Sequence, residues 1–169
     1  MTTLRKGDYA KALKLSERFN IKAGARPNRR VKAALSQAID FLAPLAGQIE
    51  RGSVISVGSG WHGPDVFLDA QTAREMARDK DRTAYLTGVV DLDLSKRDAE
   101  KLKDIRKTFK LSSDKQAAGL ALRVYEGIAD NIWRGNGFSI DNPNAQGAAA
   151  SRSLDTTKIR GIVGPGAIP

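Results

Sequence analysis

A mostly helical α+β fold is what this sequence predicts, and three observations carry that prediction. Apolar residues recur at helical spacing in five segments. Two short runs, SVISV at 53–57 and VVDLDL at 89–94, have strand character. The composition is 41% hydrophobic but only 6% aromatic over 169 residues, which allows an aliphatic core in one domain or two small ones.

The elements follow in order. Residues 8–21 read as a helix, with Asp8 as a capping residue and Ala12, Leu15 and Phe19 on one face. The stretch KAGARPN breaks it through Gly24 and Pro27. A second helix is expected from Arg29 to Ala43, carrying Val31, Leu35, Ile39 and Leu42, with Pro44 as its end or kink. SVISV is short and β-branched and predicts a strand; residues 58–65, GSGWHGPD, predict a loop, and Val66–Leu68 a further strand. Residues 69–81 predict a short polar helix capped by Asp69.

VVDLDL alternates apolar and polar residues from Val90 onward, the mark of a half-buried strand with Val90, Leu92 and Leu94 inward. Ser95 caps the next helix, with Asp98 three residues on, and Ala99, Leu102, Ile105 and Phe109 mark its buried face. A break at Lys110–Leu111 leads to a second capping site, Ser112–Ser113, and to a helix ending near Trp133 with Ala118, Leu122, Tyr125, Ala129 and Ile132 in line. From Gly135 the composition turns to Gly, Pro, Asn, Ala and Ser, which predicts an extended or disordered tail. Four regions result: a basic helical segment at 1–50, strands, loop and helix at 51–86, a strand–helix–helix unit at 87–134, and the tail at 135–169.

Charge points to a class of partner. The net charge is +9, and residues 1–33 hold ten basic residues against Asp8 and Glu17, so +8 of it sits in that segment. Arg5, Lys6, Arg26, Arg29, Arg30 and Lys32 belong to this cluster, which suggests a surface for a polyanion. A solvated helix face is the plainer reading. Cysteine is absent, which excludes disulfides and thiolate metal sites, and one histidine argues against structural zinc. No apolar run approaches the ~20 residues that span a bilayer, and the N-terminus lacks the apolar core of a secretory signal. The expected location is therefore the cytoplasm, with no membrane partner. Trp61-His62-Gly63-Pro64-Asp65 holds the lone histidine beside an acid, but no nucleophile motif accompanies it, and Gly58-Ser59-Gly60 fits no nucleotide-binding pattern. Neither an enzyme nor a cofactor is expected, and the alternating Asp91, Asp93 and Asp98 lack the loop geometry of a calcium site.

The stretch VVDLDLSKRDAEKLKDIRKTFKLSSDKQAAGLALRVYEGI resembles a ribbon-helix-helix unit, a family of plasmid and phage repressors, antitoxins and conjugation accessory proteins. The resemblance spans about residues 87–133. It implies an antiparallel ribbon made by two such strands over a four-helix core. It also implies that the ribbon's outer face enters the major groove of double-stranded DNA, while the start of the second helix holds a phosphate. Carried onto this chain, that start is Ser112 and Ser113, flanked by Lys110 and Lys115. The chain departs from the family at Asp91 and Asp93, the outward strand positions, where a symmetric dimer would put four carboxylates into the groove. Either the ribbon does not read DNA, or its partner strand is different and basic.

A second half is suggested by KALKLSERFNIK at 11–22, which matches KLKDIRKTFKLS at 101–112 with an offset of 90. Leu15 aligns with Ile105, Phe19 with Phe109 and Ile21 with Leu111, and only TTLRK is available as the first strand. Chance likeness between two amphipathic helices and an intrachain pseudo-dimer both fit. The latter is similar to the double ribbon-helix-helix accessory proteins of T-DNA and plasmid transfer. Sequence thus leads to two readings of function. One is a DNA-binding regulator or DNA-processing accessory protein of plasmid or phage origin, acting as a homo-oligomer or pseudo-dimer. The other is an assembly protein of a virion or nucleoprotein complex, virion-associated, using the unit to oligomerise.

Overall fold

The computed structural model describes residues 1–18, 21, 24–58, 64–78, 88–144 and 151–154. Strand β1 (Thr2–Arg5) runs straight into helix α1 (Lys6–Arg18), and α2 (Pro27–Glu50) follows. Next come β2 (Val54–Gly58), β3 (Pro64–Leu68), α3 (Ala70–Arg78), β4 (Val89–Leu92), α4 (Lys96–Thr108), α5 (Asp114–Trp133), β5 (Gly137–Asp141) and β6 (Ser151–Ser153). The architecture is α+β: five helices and two small antiparallel sheets among the described residues.

The first sheet joins the two ends of the sequence pattern. β1 pairs antiparallel with β4, with Thr2 opposite Leu92, Thr3 opposite Asp91, Leu4 opposite Val90 and Arg5 opposite Val89. Strand periodicity then sends Leu4 and Leu92 to the buried face, and Thr3, Arg5, Val89 and Asp91 to the other. The helices beneath share one core. α2 packs on α1, α4 and α5, and α5 also packs on α1, α3 and β1. Leu35, Ile39, Leu102, Ile105, Phe109, Leu122 and Tyr125 are all fully buried there. Each such aliphatic side chain contributes about 1.5–3 kcal/mol by leaving water.

The two strand–helix–helix segments repeat one another most closely in their first helices and the turns that follow. α1 and α4 begin and end with the same offset, 90 residues, that the sequence similarity shows. Both helices close with the same six-residue bond: the Ile21 N–H donates to the Ser16 carbonyl and the Leu111 N–H to the Arg106 carbonyl, each at 2.9 Å. In the second copy Lys110 takes φ +55°, the left-handed conformation this ending demands. Ser95 and Ser113 cap α4 and α5, accepting from the Asp98 and Gln116 N–H groups at 3.1 and 3.3 Å.

Three expectations need correction. Asp8 does not cap a helix at 8–21; α1 starts at Lys6 and the Asp8 carboxylate is buried, 3.5 Å from the Arg123 guanidinium on α5. Pro44 does not end α2, which runs on to Glu50. Pro44 itself is exposed, while Leu42, Leu45, Ala46 and Ile49 around it are buried, and that burial outweighs the roughly 3 kcal/mol a mid-helix proline costs. The tail is not wholly extended linker. In β5, Phe138 and Ile140 alternate with polar residues and are buried, and the strand joins the second sheet, whose order is β3-β2-β5-β6. Asp69 does cap α3, accepting from the Thr72 N–H at 2.7 Å. The apolar C-terminus, IRGIVGPGAIP, lies outside the described residues, as do Trp61, His62 and Phe19.

Phe67 brings the second sheet into close contact with α5. Phe67 of β3 stacks edge-on to Phe138, with ring centroids 5.7 Å apart, and reaches α5 at Gly127. A Cβ built on Gly127 would lie 2.7 Å from the Phe67 ring, so this close approach requires glycine. On the sheet's other face Asp141 accepts hydrogen bonds from Ser151 and Ser56 at 2.6 and 2.7 Å. The Ser151 bond first, then that from Ser56, hold its carboxyl below the usual carboxylate range.

Candidate nucleic-acid interface

The surface worth testing is built from the outer face of the β1–β4 ribbon and from the starts of the second helices of each copy. On the ribbon, Arg5 projects from β1 opposite Val89, and Thr3 opposite Asp91. The Thr3 hydroxyl donates to Asp91 Oδ1 at 3.0 Å, which fixes the carboxylate's orientation and leaves its second oxygen available to another donor. Asp91 and Asp93 are exposed. Lys6 is exposed at the ribbon's end, where its backbone N–H donates to the Gly88 carbonyl at 3.0 Å. The partner strand of VVDL is therefore different, TTLR, and it brings Arg5 and the adjoining Lys6 to a ribbon that otherwise shows carboxylates.

The start of α2 gathers Arg26, Arg29, Arg30 and Lys32. Arg26 occupies the N-cap position, Pro27 sits in the first turn, no side chain caps the helix, and the first turn holds no acid. Pro27 brings no N–H, and the Arg29 and Arg30 N–H groups donate to the Arg26 carbonyl at 3.0 and 3.2 Å, so what the helix start offers an anion is chiefly its dipole beside exposed Arg26 and Arg29. Arg30 pairs with Glu17 at 3.3 Å, a surface contact of small energetic weight, and Lys32 is half-buried. The Tyr9 hydroxyl donates to Asn28 Oδ1 at 2.6 Å, tying this helix start to α1 one turn beyond the ribbon.

The corresponding start of α5 is electrostatically different. Lys110 and Ser112 are exposed and Lys115 is half-buried. The Ser112 N–H already donates to Gln116 Oε1 at 3.0 Å, the Gln116 N–H is taken by Ser113, and Asp114 in the first turn pairs with Arg106 at 3.3 Å. An anion arriving there competes with local acceptors and meets a carboxylate. The α2 start differs in having no acid in its first turn and no side chain on its amides, although the Arg26 carbonyl accepts from the Arg29 and Arg30 N–H groups. The family resemblance implies, besides the basic cluster that charge alone points to, a phosphate site at Ser112–Ser113. Capping bonds that only coordinates reveal make it the less receptive of the two.

Thr3 was not singled out in the sequence; its place opposite Asp91 appears only once β4 is known to be the partner of TTLR. The Asp8–Arg123 pair had no sequence signal, because nothing in a linear pattern says that residues 115 positions apart meet. Among the described residues no cluster of three or more His, Asp or Glu side chains converges as a metal site would, and no helix is long and apolar enough to cross a membrane.

Comparison with models of protein families, with curated proteins and with solved structures gives no match to this chain.

Proposed function

We propose that this chain is a single-chain double ribbon-helix-helix protein that binds double-stranded DNA as a non-catalytic regulator or DNA-processing accessory protein. The observation that carries the reading is the antiparallel pairing of β1 with β4, each strand leading into a helix pair over one shared core. Such a ribbon has the width of the major groove. The basic start of α2 supplies sequence-independent attraction to phosphate, and Arg5 and Lys6 add charge at the ribbon.

A second reading, assembly, is favoured by exposed Asp91 and Asp93, which oppose entry into a groove lined by phosphates. The test measures affinity for duplex DNA between about 50 and 200 mM salt, where a protein making several phosphate contacts loses orders of magnitude in affinity. Reversing Arg26, Arg29 and Arg30 to Glu is expected to abolish binding while the melting temperature holds. Lys110→Glu with Lys115→Glu is expected to weaken it less. Equal affinity of wild type and triple variant at low salt overturns the reading. Self-association with no DNA affinity favours assembly.

A further inference from the structure

We propose that Asn136 is a site of spontaneous self-modification: the Gly137 backbone nitrogen closes on the Asn136 carboxamide, ammonia leaves, and the product loosens the join between α5 and the second sheet. Of the six asparagines in the chain, only Asn136 precedes a glycine. A side chain on the following residue crowds the approach of its backbone nitrogen to the carboxamide carbon. Glycine removes that crowding and widens the backbone angles open to the approach.

The fold itself does not require glycine at 137. A Cβ built there meets nothing within 4 Å, and Gly137 lies in β5 outside the left-handed region. A glycine inside a strand weakens it, so packing gives no reason for one here. Gly135 is different: its φ is +84°, the left-handed turn that ends α5. Arg134, Gly135 and Gly137 are exposed and Asn136 is half-buried, so water reaches the reacting groups.

The surroundings of Asn136 say what its loss would do. Its N–H donates to the Asn131 carbonyl at 3.0 Å, and its side-chain Nδ2 donates to Asn131 Oδ1 at 2.9 Å. Asn131 Nδ2 donates in turn to the Gly127 carbonyl at 2.8 Å. Gly127 is where Phe67 approaches α5. A chain of amide hydrogen bonds therefore links residue 136 to the contact between helix and sheet. A carboxylate at 136 cannot donate, so it faces Asn131 Oδ1 as acceptor to acceptor. Asn131 must then turn its amide and lift Nδ2 from Gly127, or leave two oxygens in repulsion.

The reaction balances without a cofactor. The Gly137 nitrogen gives up its proton and bonds to Asn136 Cγ; the Cγ–Nδ2 bond breaks and ammonia carries that proton away. The cyclic imide then takes up one water. Opening at Cγ restores the original backbone and leaves aspartate. Opening at the main-chain carbonyl leaves isoaspartate, whose backbone runs through Cβ and Cγ and is a methylene longer. That longer path enters between α5 and β5 and pushes Gly137 out of register with Gly58 of β2. Because the attacking nitrogen must lose its proton, the rate rises with pH. Because the Asn131 bond holds the carboxamide, the rate also follows the opening of this helix end.

The experiment incubates the full chain under native conditions at mildly alkaline pH. Tryptic peptides are then compared with an unincubated control by mass spectrometry with fragmentation. The expected result is exchange of NH2 for OH at residue 136 and not at Asn28 or Asn131, as two separable products, aspartate and isoaspartate. Isoaspartate arises only through the ring. Gly137→Ala is expected to slow the conversion at least about tenfold without lowering the melting temperature, since the added Cβ fits. Asn136→Asp removes the donor without ageing and should speed amide exchange in β5 and β2 several-fold, with slow exchange kept in α2. No conversion at 136, aspartate without isoaspartate, or an equal rate in Gly137→Ala overturns the modification site. Unchanged exchange in Asn136→Asp overturns the loosening.

Discussion

A carboxylate and a guanidinium are buried together between α1 and α5, with Met76 and Gly119 as neighbours. Asp8 faces Arg123 at 3.5 Å, and Arg123 donates onward to the Met76 carbonyl of α3 at 2.6 Å. Gly119 lies alongside; a Cβ there would come within 2.9 Å of the Asp8 carboxylate. Removing one partner of such a pair strands the other charge in a dry place, so Asp8→Ala is expected to cost about 3–5 kcal/mol in urea unfolding. A loss under 1 kcal/mol would show that water reaches Arg123 in the folded protein. Tyr125 gives a second check at this scale. It is fully buried, its hydroxyl donates to Gln37 Oε1 at 3.3 Å, and burial pushes its pKa up to about 12. The folded state therefore holds the proton that the unfolded chain releases near the ordinary tyrosine value of about 10. Stability should be unaffected by this group below about pH 10 and fall as pH rises from there toward about 12. Replacing Tyr125 with Phe should flatten that decline; an unchanged alkaline slope would place the phenol in water.

At the scale of elements, β1 is short yet decisive. It supplies the whole partner strand for β4, and Leu4 fills the core beside Leu92. An isolated ribbon strand exposes a ladder of unpaired N–H and C=O groups and invites pairing with another chain. Deleting residues 2–5 is expected to lower the unfolding midpoint and to convert the protein to a dimer in gel filtration, as two β4 strands pair in place of β1 and β4. A truncated chain that stays monomeric at unchanged stability would mean the ribbon is dispensable. The helices show why local pattern served well here. Ser95, Ser113 and Asp69 all cap where capping chemistry puts them, because the donor sits three residues away in sequence. Pro44 misled for the opposite reason: its cost is local, but the apolar residues that carry the helix past it are paid back by distant neighbours.

At the scale of the whole molecule, the ribbon-bearing helices and the second sheet meet where Phe67 abuts Gly127. Gly127→Val should force the Phe67 ring away and loosen the seat of the sheet. The expected readout is faster amide exchange in β2, β3 and β5, with slow exchange retained in α2 and α5. Uniform acceleration across both parts would show that they open as one cooperative unit. The charge distribution has the same large-scale character. α1 shares ion pairs with α5, Lys11 with Glu126 at 2.9 Å and Arg18 with Asp130 at 2.6 Å, while Arg26 and Arg29 at the start of α2 have no ion pair among the described residues. Part of the basic segment is thus spent on holding the fold, and the remainder is what a polyanion would meet.

The sequence by itself determined the helices at the core of both copies, the strand read as 89–94 (which ends at Leu92), the caps at Ser95, Ser113 and Asp69, and the likeness between residues 11–22 and 101–112, since each depends on side chains within a turn or two of one another. It also determined the excess of positive charge in the first 33 residues. Only the tertiary structure decided that TTLR is the partner of VVDL, that Asp8 meets Arg123, and that FSID joins SVISV in a sheet. Four-residue strands have no periodicity long enough to announce a partner. A buried charge is indistinguishable in sequence from a capping one until the residue that neutralises it is brought alongside by the packing of the helices.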